Sequence, residues 1–191
     1  MCKMEDKPPL GSFKFAEDNK SVTERLDNLS GRVVEYLITK GRTLAAAESC
    51  TGGMISEKLT AVPGASRIYK GGVCSYHSEI KQKVLGVSAA TLERYTGYSA
   101  ETASEMSAGV MRLMDTDCAI GVTGIAGPSG GTAEKPVGTV YVSVRFGDRE
   151  MVKDLMLYKE YENMDRDLIR AAASAGALEM LMQLMTESED R

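Results

Sequence analysis

The sequence feature that most constrains the fold is the stretch Ala45–Gly53, where an apolar run gives way to polar residues and two glycines. The run is short enough for a buried strand, and helical spacing begins at Met54. Ser49 is therefore predicted where a strand meets a helix N-terminus. Unpaired backbone N–H groups and the positive end of the helix dipole converge there, which suits an anion or a serine nucleophile. A plainer alternative is that Ser49 or Thr51 caps the helix.

Helical and strand-like segments alternate along the 191 residues, which predicts an α/β fold in one domain. We expect residues 1–20 to form a flexible leader and residues 21–188 to form the domain. The apolar run Cys118–Val122 is typical of a strand buried on both faces. The segments Val137–Phe146 and Glu150–Leu157 alternate like the strands of a hairpin. The sequence thus predicts a mostly parallel central sheet with one antiparallel hairpin and helices on both faces.

Composition excludes several classes of function. The net charge of −4 argues against nucleic-acid binding, which relies on a basic surface. No apolar run has the length of a membrane span, and no signal peptide is evident. Four scattered cysteines and a single histidine suggest neither a disulfide framework nor a metal site. We expect a cytoplasmic protein that works without a metal or cofactor and that has neither a nucleic-acid nor a membrane partner.

A long glycine-rich loop, Thr123–Pro136, follows the predicted strand Cys118–Val122. It carries neither a Walker A motif nor Gly-x-Gly-x-x-Gly. Because ligands of open α/β sheets bind at the carboxyl ends of the strands, we expect this loop to line a site. The alternative is an ordered surface loop.

Tyr76 and Lys81 lie five residues apart across a predicted boundary between a strand and a helix. If Ser78 is the N-cap, Lys81 is the third residue of the helix, where the dipole favours the neutral amine. A neutral lysine is able to act as a general base in a protein with one histidine. Glu79 would oppose this by stabilising the ammonium. The alternative is a solvated surface lysine.

Arg166 and Arg170 share one face near the start of the last predicted helix. They are placed either to pair with Asp165 and Asp167 or to hold a phosphate, which the planar guanidinium suits. The sequence does not decide between these alternatives.

Together, these motifs resemble the CinA C-terminal domain family. The resemblance covers about Leu29 to Leu184. The matching stretches are Ala47–Gly53, Gly71-Gly72-Val73 with Ser75-Tyr76, Glu79 and Lys81, Gly124–Pro128, Gly130-Gly131, Glu134–Thr139, and Asp165-Arg166 with Arg170.

The family is known as nicotinamide-nucleotide amidohydrolases, or NMN deamidases. The resemblance implies a serine nucleophile, Ser49, assisted by Tyr76 and Lys81. It implies hydrolysis of the carboxamide of nicotinamide mononucleotide, without a metal, to give nicotinate mononucleotide and ammonia. The residues that we expect to bind this substrate are Thr51, Gly52, Gly53, Thr123, Gly124, Ile125, Gly127, Gly130, Gly131, Arg166 and Arg170.

The sequence departs from the family pattern at three places. Ser78 replaces the usual Asn, Gly97–Glu101 differs from the usual Gly-Ala-Val-Ser-Glu, and Met164 replaces a Gly. The N-terminal domain often fused to this one is absent, which suggests a stand-alone form. A second hypothesis is a nucleotide-binding module without turnover, since fused family members are linked to competence and DNA damage. Whether the chain forms a homo-oligomer stays open.

Overall fold

In the computed structural model, which describes residues 19–160 and 164–188, five strands form one sheet in the order β2-β1-β3-β4-β5. The strands are β1 (Leu44–Glu48), β2 (Tyr69–Cys74), β3 (Cys118–Gly124), β4 (Val140–Phe146) and β5 (Arg149–Asp154). The helices are α1 (Asn19–Lys40), α2 (Met54–Thr60), α3 (Ser78–Leu85), α4 (Ala89–Tyr95), α5 (Ala100–Met114), α6 (Leu157–Glu160) and α7 (Arg166–Glu187), with a 3₁₀ turn at Ala65–Arg67.

The three parallel strands end at the same edge of the sheet. Glu48, the last residue of β1, lies opposite Cys74 in β2 and Val122 in β3. Strand β4 runs antiparallel to β3 and forms a hairpin with β5. The predicted α/β fold with a largely parallel centre and one antiparallel hairpin is therefore confirmed, and the segments that follow β1, β2 and β3 converge at one edge.

Helices cover both faces of the sheet, because consecutive residues of each strand point to opposite sides. Leu44 and Ala46 of β1 belong to the larger core, in which α1 and α7 pack together and α7 packs on β4. Ala45 and Ala47 belong to a second cluster with Met106 and other residues of α5. Alanines on that side allow α5 to lie close to the sheet.

Two glycines set the closest approaches of α5. A Cβ added to Gly121 of β3 would lie 2.4 Å from the carbonyl oxygen of Ala103 in α5. A Cβ added to Gly109 of α5 would lie 2.0 Å from the carbonyl oxygen of Leu85, the last residue of α3. The position of α3 against α5 therefore depends on the missing side chain at residue 109.

Several predicted boundaries are wrong by a few residues. Residues 19 and 20 of the predicted leader belong to α1, and residues 1–18 lie outside the described part of the chain. The last strand ends at Asp154 instead of Leu157, and the short helix α6 follows it. The last helix begins at Arg166 because the Asp165 carboxylate caps it by accepting from the Leu168 N–H at 2.7 Å.

Among the described residues, only α7 has the length and the mean hydropathy, 1.2, that a membrane span requires. However, 78% of that apolar window is buried inside the protein. The apolar character of α7 is explained by its position in the core.

We expect Gly109→Ala to lower the free energy of unfolding by about 1–3 kcal/mol, because the added methyl overpacks the contact with Leu85. The matched control is Gly31→Ala in α1, where a Cβ meets no atom within 4 Å. That control should raise stability by about 0.5–1 kcal/mol, because alanine is the better helix former. Urea unfolding of both variants measures the difference. Equal stability of the two would contradict the close approach.

Candidate active site

The centre of the site is a contact between Ser49 and Lys81. The Lys81 Nζ lies 2.8 Å from the Ser49 Oγ and donates a second hydrogen bond, 2.6 Å long, to the carbonyl oxygen of Ser75. Ser49 follows β1 directly and Ser75 follows β2 directly, so the sheet register brings them together. Lys81 reaches this edge from α3. All three residues are buried.

Lys81 is 1% exposed, so the interpretation as a solvated surface lysine is wrong. The predicted N-cap also needs correction. The helix α3 is capped by His77, whose Nδ1 accepts from the Glu79 N–H at 3.4 Å, and Ser78 is its first residue. Lys81 is therefore the fourth residue of the helix instead of the third.

Burial lowers the pKa of Lys81 from 10.5 to about 8, while the nearby thiols of Cys50 and Cys74 oppose this shift. Glu79, which was expected to oppose it, is turned toward Lys83, with which it forms an ion pair on the surface. No carboxylate of a described residue lies within 4 Å of the Lys81 Nζ. At neutral pH a minority of the Lys81 amine is therefore unprotonated, and this fraction is far larger than for an exposed lysine.

The turn after β1 is held by the carboxylate of Glu48, which sequence reasoning missed as a functional residue. Its Oε2 accepts from the Gly53 and Ile55 N–H groups at 3.0 and 3.1 Å and from the Thr51 hydroxyl at 2.8 Å. Its Oε1 accepts from the N–H and the hydroxyl of Ser56 at 2.9 and 2.6 Å. Glu48 is buried.

This carboxylate corrects two expectations for the start of α2. Neither Ser49 nor Thr51 caps the helix, because the N-cap residue is Gly53 and it makes no side-chain cap. The N–H groups of Gly53, Ile55 and Ser56 are not unpaired, since Glu48 accepts from all three. The signal for this network in the sequence was an acidic residue directly after a run of buried alanines.

Arg170 also contacts this turn, through Thr51. Its Nε and Nη2 both donate to the Thr51 carbonyl oxygen at 3.1 Å, and its Nη1 lies 3.3 Å from the Asp167 carboxylate. The guanidinium packs over Gly52, where an added Cβ would lie 3.6 Å from the Nη2. Of the two alternatives for this arginine, the ion pair is thus present.

Arg166 and Tyr76 form a contact that is separate from the Ser49–Lys81 pair. The Arg166 Nη2 donates to the Tyr76 hydroxyl at 2.8 Å, and its Nη1 donates to the Gly127 carbonyl oxygen at 2.6 Å. Tyr76 is 62% exposed. Within the described ranges, the Tyr76 hydroxyl forms its hydrogen bond with Arg166, and none joins it to Ser49 or Lys81.

The first residues of the glycine-rich loop are fixed by the protein itself. Thr123 and Gly124 end β3, and the Thr123 hydroxyl donates to the Gly97 carbonyl oxygen at 2.6 Å. Ile125 exchanges backbone hydrogen bonds with Thr139 and Gly138. These internal hydrogen bonds hold the start of the loop at the end of β3.

The second part of the loop is exposed. Gly130 has a left-handed φ of 90°, and both Gly130 and Gly131 are exposed. The N–H groups of Gly127, Gly130 and Gly131 donate to no backbone carbonyl of a described residue. The Lys135 ammonium ties the end of the loop to the carbonyl oxygens of Tyr95 and Tyr98 at 3.2 and 2.7 Å. Because Gly127 is buried, the backbone donors that are exposed after the end of β3 are those of Gly130 and Gly131.

Cys50, next to Ser49, is buried, and burial raises the pKa of its thiol to about 12. At neutral pH it carries a proton. In residues 19–160 and 164–188, no three His, Cys, Asp or Glu side chains come together in a group able to hold a metal ion. The chemistry that the geometry offers is that of a serine next to an amine of lowered pKa.

Solved structures share this architecture. A competence/damage inducible protein from Agrobacterium tumefaciens is 35% identical, with a TM-score of 0.79 over 84% of this chain and 95% of that one. A competence-damaged protein superfamily member from Escherichia coli is 32% identical, with a TM-score of 0.77 over 83% of this chain and 90% of that one.

Longer proteins also match. A relative from Caldanaerobacter subterraneus, provisionally named a competence-damage inducible protein, is 42% identical over 176 residues. The match takes in 92% of this chain and 40% of the relative, so the chain spans less than half the length of this relative. The family model described as the CinA C-terminal domain matches residues 26–185. The chain therefore belongs to the CinA C-terminal domain family.

Proposed function

We propose that this protein hydrolyses the carboxamide of nicotinamide mononucleotide to nicotinate mononucleotide and ammonia through a seryl ester. The single observation that supports the proposal most is the 2.8 Å contact between the Ser49 hydroxyl and the buried Lys81 amine. An amide is a poor electrophile with a poor leaving group, so its hydrolysis requires an activated nucleophile and a proton donor. A lysine with a pKa of about 8 is suited to both tasks.

The steps balance within this pair. The neutral Lys81 amine accepts the Ser49 proton as the hydroxyl oxygen attacks the carboxamide carbon. The resulting ammonium then gives that proton to the departing nitrogen, and ammonia leaves with the C–N bond broken. Water then attacks the ester carbon while Lys81 takes one of its protons and passes it to the departing Ser49 oxygen. The C–O bond to Ser49 breaks, the hydroxyl is restored, and the product acid gives its remaining proton to the solvent to become the carboxylate. The hydrogen bond from Lys81 to the Ser75 carbonyl holds the amine in place throughout.

The oxyanion formed during attack requires donors. The N–H groups at the start of α2 are taken by Glu48. The backbone N–H groups of Cys50 and Thr51 lie directly after Ser49 and donate to no backbone carbonyl of a described residue, although both interact with the Cys50 thiol. We assign the oxyanion to these two groups.

The phosphate of the substrate is assigned to Arg166 and to the exposed backbone N–H groups of Gly130 and Gly131. The Arg166 guanidinium donates to a tyrosine hydroxyl and a carbonyl oxygen, and no carboxylate of a described residue lies within 4 Å of it. A guanidinium with no carboxylate of a described residue beside it is suited to a phosphate. In this assignment Tyr76 orients Arg166, and its hydroxyl relays a proton only if it moves.

A second candidate function is nucleotide binding without turnover. The names of the relatives, which refer to competence and damage, motivate it. It retains the phosphate site but gives no purpose to the buried Ser49–Lys81 pair.

We expect the purified protein to release ammonia from nicotinamide mononucleotide. Lys81→Ala should lower kcat by about 100- to 10,000-fold, which is the usual contribution of a general acid–base group, while calorimetry still detects binding. Ser49→Ala should abolish the seryl ester. The matched control is Lys83→Ala, two residues along α3, which removes only a surface ion pair. Tyr76→Phe should slow the reaction less than Lys81→Ala. Binding by the unaltered protein without ammonia release would favour the second candidate function.

The rate should depend on pH through Lys81. Because only the neutral amine accepts a proton, kcat/KM should rise about tenfold per pH unit below the pKa and level off above it. The pKa that sets this limb should be about 8. Lys81→Arg should be inactive across the range, since a guanidinium does not lose its proton. A flat profile, or an active Lys81→Arg enzyme, would show that Lys81 acts only as a fixed charge.

Arg166→Ala should raise KM for the mononucleotide by about 10- to 100-fold, since a hydrogen bond to a charged group contributes about 1.5–3 kcal/mol. With nicotinamide riboside, which lacks the phosphate, the unaltered protein and the variant should differ little. Arg94→Ala, an exposed arginine on α4, serves as the control variant. If KM for the mononucleotide is unaltered in Arg166→Ala, the phosphate assignment is wrong.

A further inference from the structure

We propose that Glu48 and Arg170 are positioning residues that fix the Ser49–Gly53 turn through separate sets of hydrogen bonds and so orient the Ser49 hydroxyl toward Lys81. Neither residue contacts the substrate in this assignment. The kinetic part of the test depends on the proposed function, but the proposal concerns only the reactivity of Ser49.

The Glu48 carboxylate is committed to the turn. Its two oxygens accept five hydrogen bonds, three of them from backbone N–H groups. A carboxylate offers about four lone-pair sites, so its acceptor capacity is used up. Because Glu48 is 1% exposed, the loss of a partner would leave a buried charge or buried donors without compensation. Glu48 therefore serves the backbone and is not available as a general base.

The Arg170 guanidinium binds the backbone of the same turn. Two of its nitrogens converge on the carbonyl oxygen of Thr51, and a third faces Asp167. This planar arrangement cannot be reproduced by a lysine, which is a point donor. Since Asp167 already supplies an anion, Arg170 differs from Arg166, which has no carboxylate of a described residue within 4 Å.

The two sets of contacts meet at Thr51. Its hydroxyl donates to Glu48, while its carbonyl accepts from Arg170. The next two residues, Gly52 and Gly53, have left-handed φ values of 62° and 95°, and glycine has the greatest freedom to leave such conformations. Fixing Thr51 at both ends therefore limits how far the turn, and Ser49 two residues earlier, is able to move.

The kinetic test compares Arg170→Ala and Arg170→Lys with Arg25→Ala. Arg25 of α1 is a matched control, because its side chain is 23% exposed and that of Arg170 is 27% exposed. Arg25 also pairs with a carboxylate of α7, that of Glu179. Arg170→Ala should lower kcat by about 100-fold, the effect expected of a misplacement of about 1 Å, with a much smaller change in KM. Arg170→Lys should lie between the two. A raised KM with unchanged kcat would identify Arg170 as a substrate contact and overturn the proposal.

The second test needs no substrate. A fluorophosphonate reacts with nucleophilic serines, and intact mass gives its rate of addition to Ser49. Arg170→Ala should label more slowly than Arg25→Ala by a factor similar to the loss in kcat. Glu48→Gln should also label more slowly, provided that circular dichroism shows it folded. Equal labelling of Arg170→Ala and Arg25→Ala overturns the proposal. If the unaltered protein releases no ammonia, the proposed function fails, and the labelling comparison still decides whether Arg170 positions Ser49.

Discussion

The structure of the site depends on one constraint, which is that the Lys81 amine is buried with no carboxylate of a described residue within 4 Å. The partners that the structure shows for it are a carbonyl oxygen and a serine hydroxyl, both neutral. Desolvation disfavours the charged form of an amine, and neither partner offsets this with a negative charge. The same burial that lowers the pKa places the amine against Ser49. The burial of Lys81 therefore supplies both the position and the lowered pKa of the amine that a nucleophilic serine requires.

The sheet explains why these groups meet. The parallel register of β1, β2 and β3 brings three strand ends to one edge, and the glycine-rich loop and the start of α7 lie at that edge. Although the chain carries a net charge of −4, the guanidinium groups of Arg166 and Arg170 both reach this edge. The Glu48 carboxylate accepts from five neutral donors, so its oxygens are occupied by the turn. An acidic protein is thereby able to present a locally positive site.

Much of this could be predicted from the sequence. The alternation of helices and strands gave the α/β fold, because periodicity is a local property of the chain. The pairing of Ser49 with Lys81 followed from a resemblance, and spacing alone did not distinguish a buried Lys81 from a surface one. That distinction depends on how α3 packs on α5, where Gly109 permits contact with Leu85, and such long-range packing has no local signature.

The errors have the same origin. The sequence offered the hydroxyls of Ser49, Thr51 and Ser78 as candidate helix caps, because such residues are good local candidates. In the structure, Glu48 reaches forward to the N-terminus of α2, and His77 caps α3. The ambiguity between Arg166 and Arg170 was also inherent, since residues four apart share a helix face. Only the tertiary structure shows that Arg170 contacts the Thr51 carbonyl and the Asp167 carboxylate. Arg166 instead contacts the Tyr76 hydroxyl.

The buried amine carries a cost in stability that bears on its purpose. The pKa of Lys81 is about 8 in the folded state and 10.5 when exposed, so at neutral pH folding must work against about 3 kcal/mol. Between these two values the unfolded chain binds more protons, so this contribution to stability rises with pH and the cost vanishes above the higher value. Below about pH 8 the cost is full. A long apolar side chain in the same place would carry no such cost, and domains have only about 5–15 kcal/mol in total. Retaining a lysine at this depth is therefore what a site selected for proton transfer would require, and a site that only binds a nucleotide would not require it.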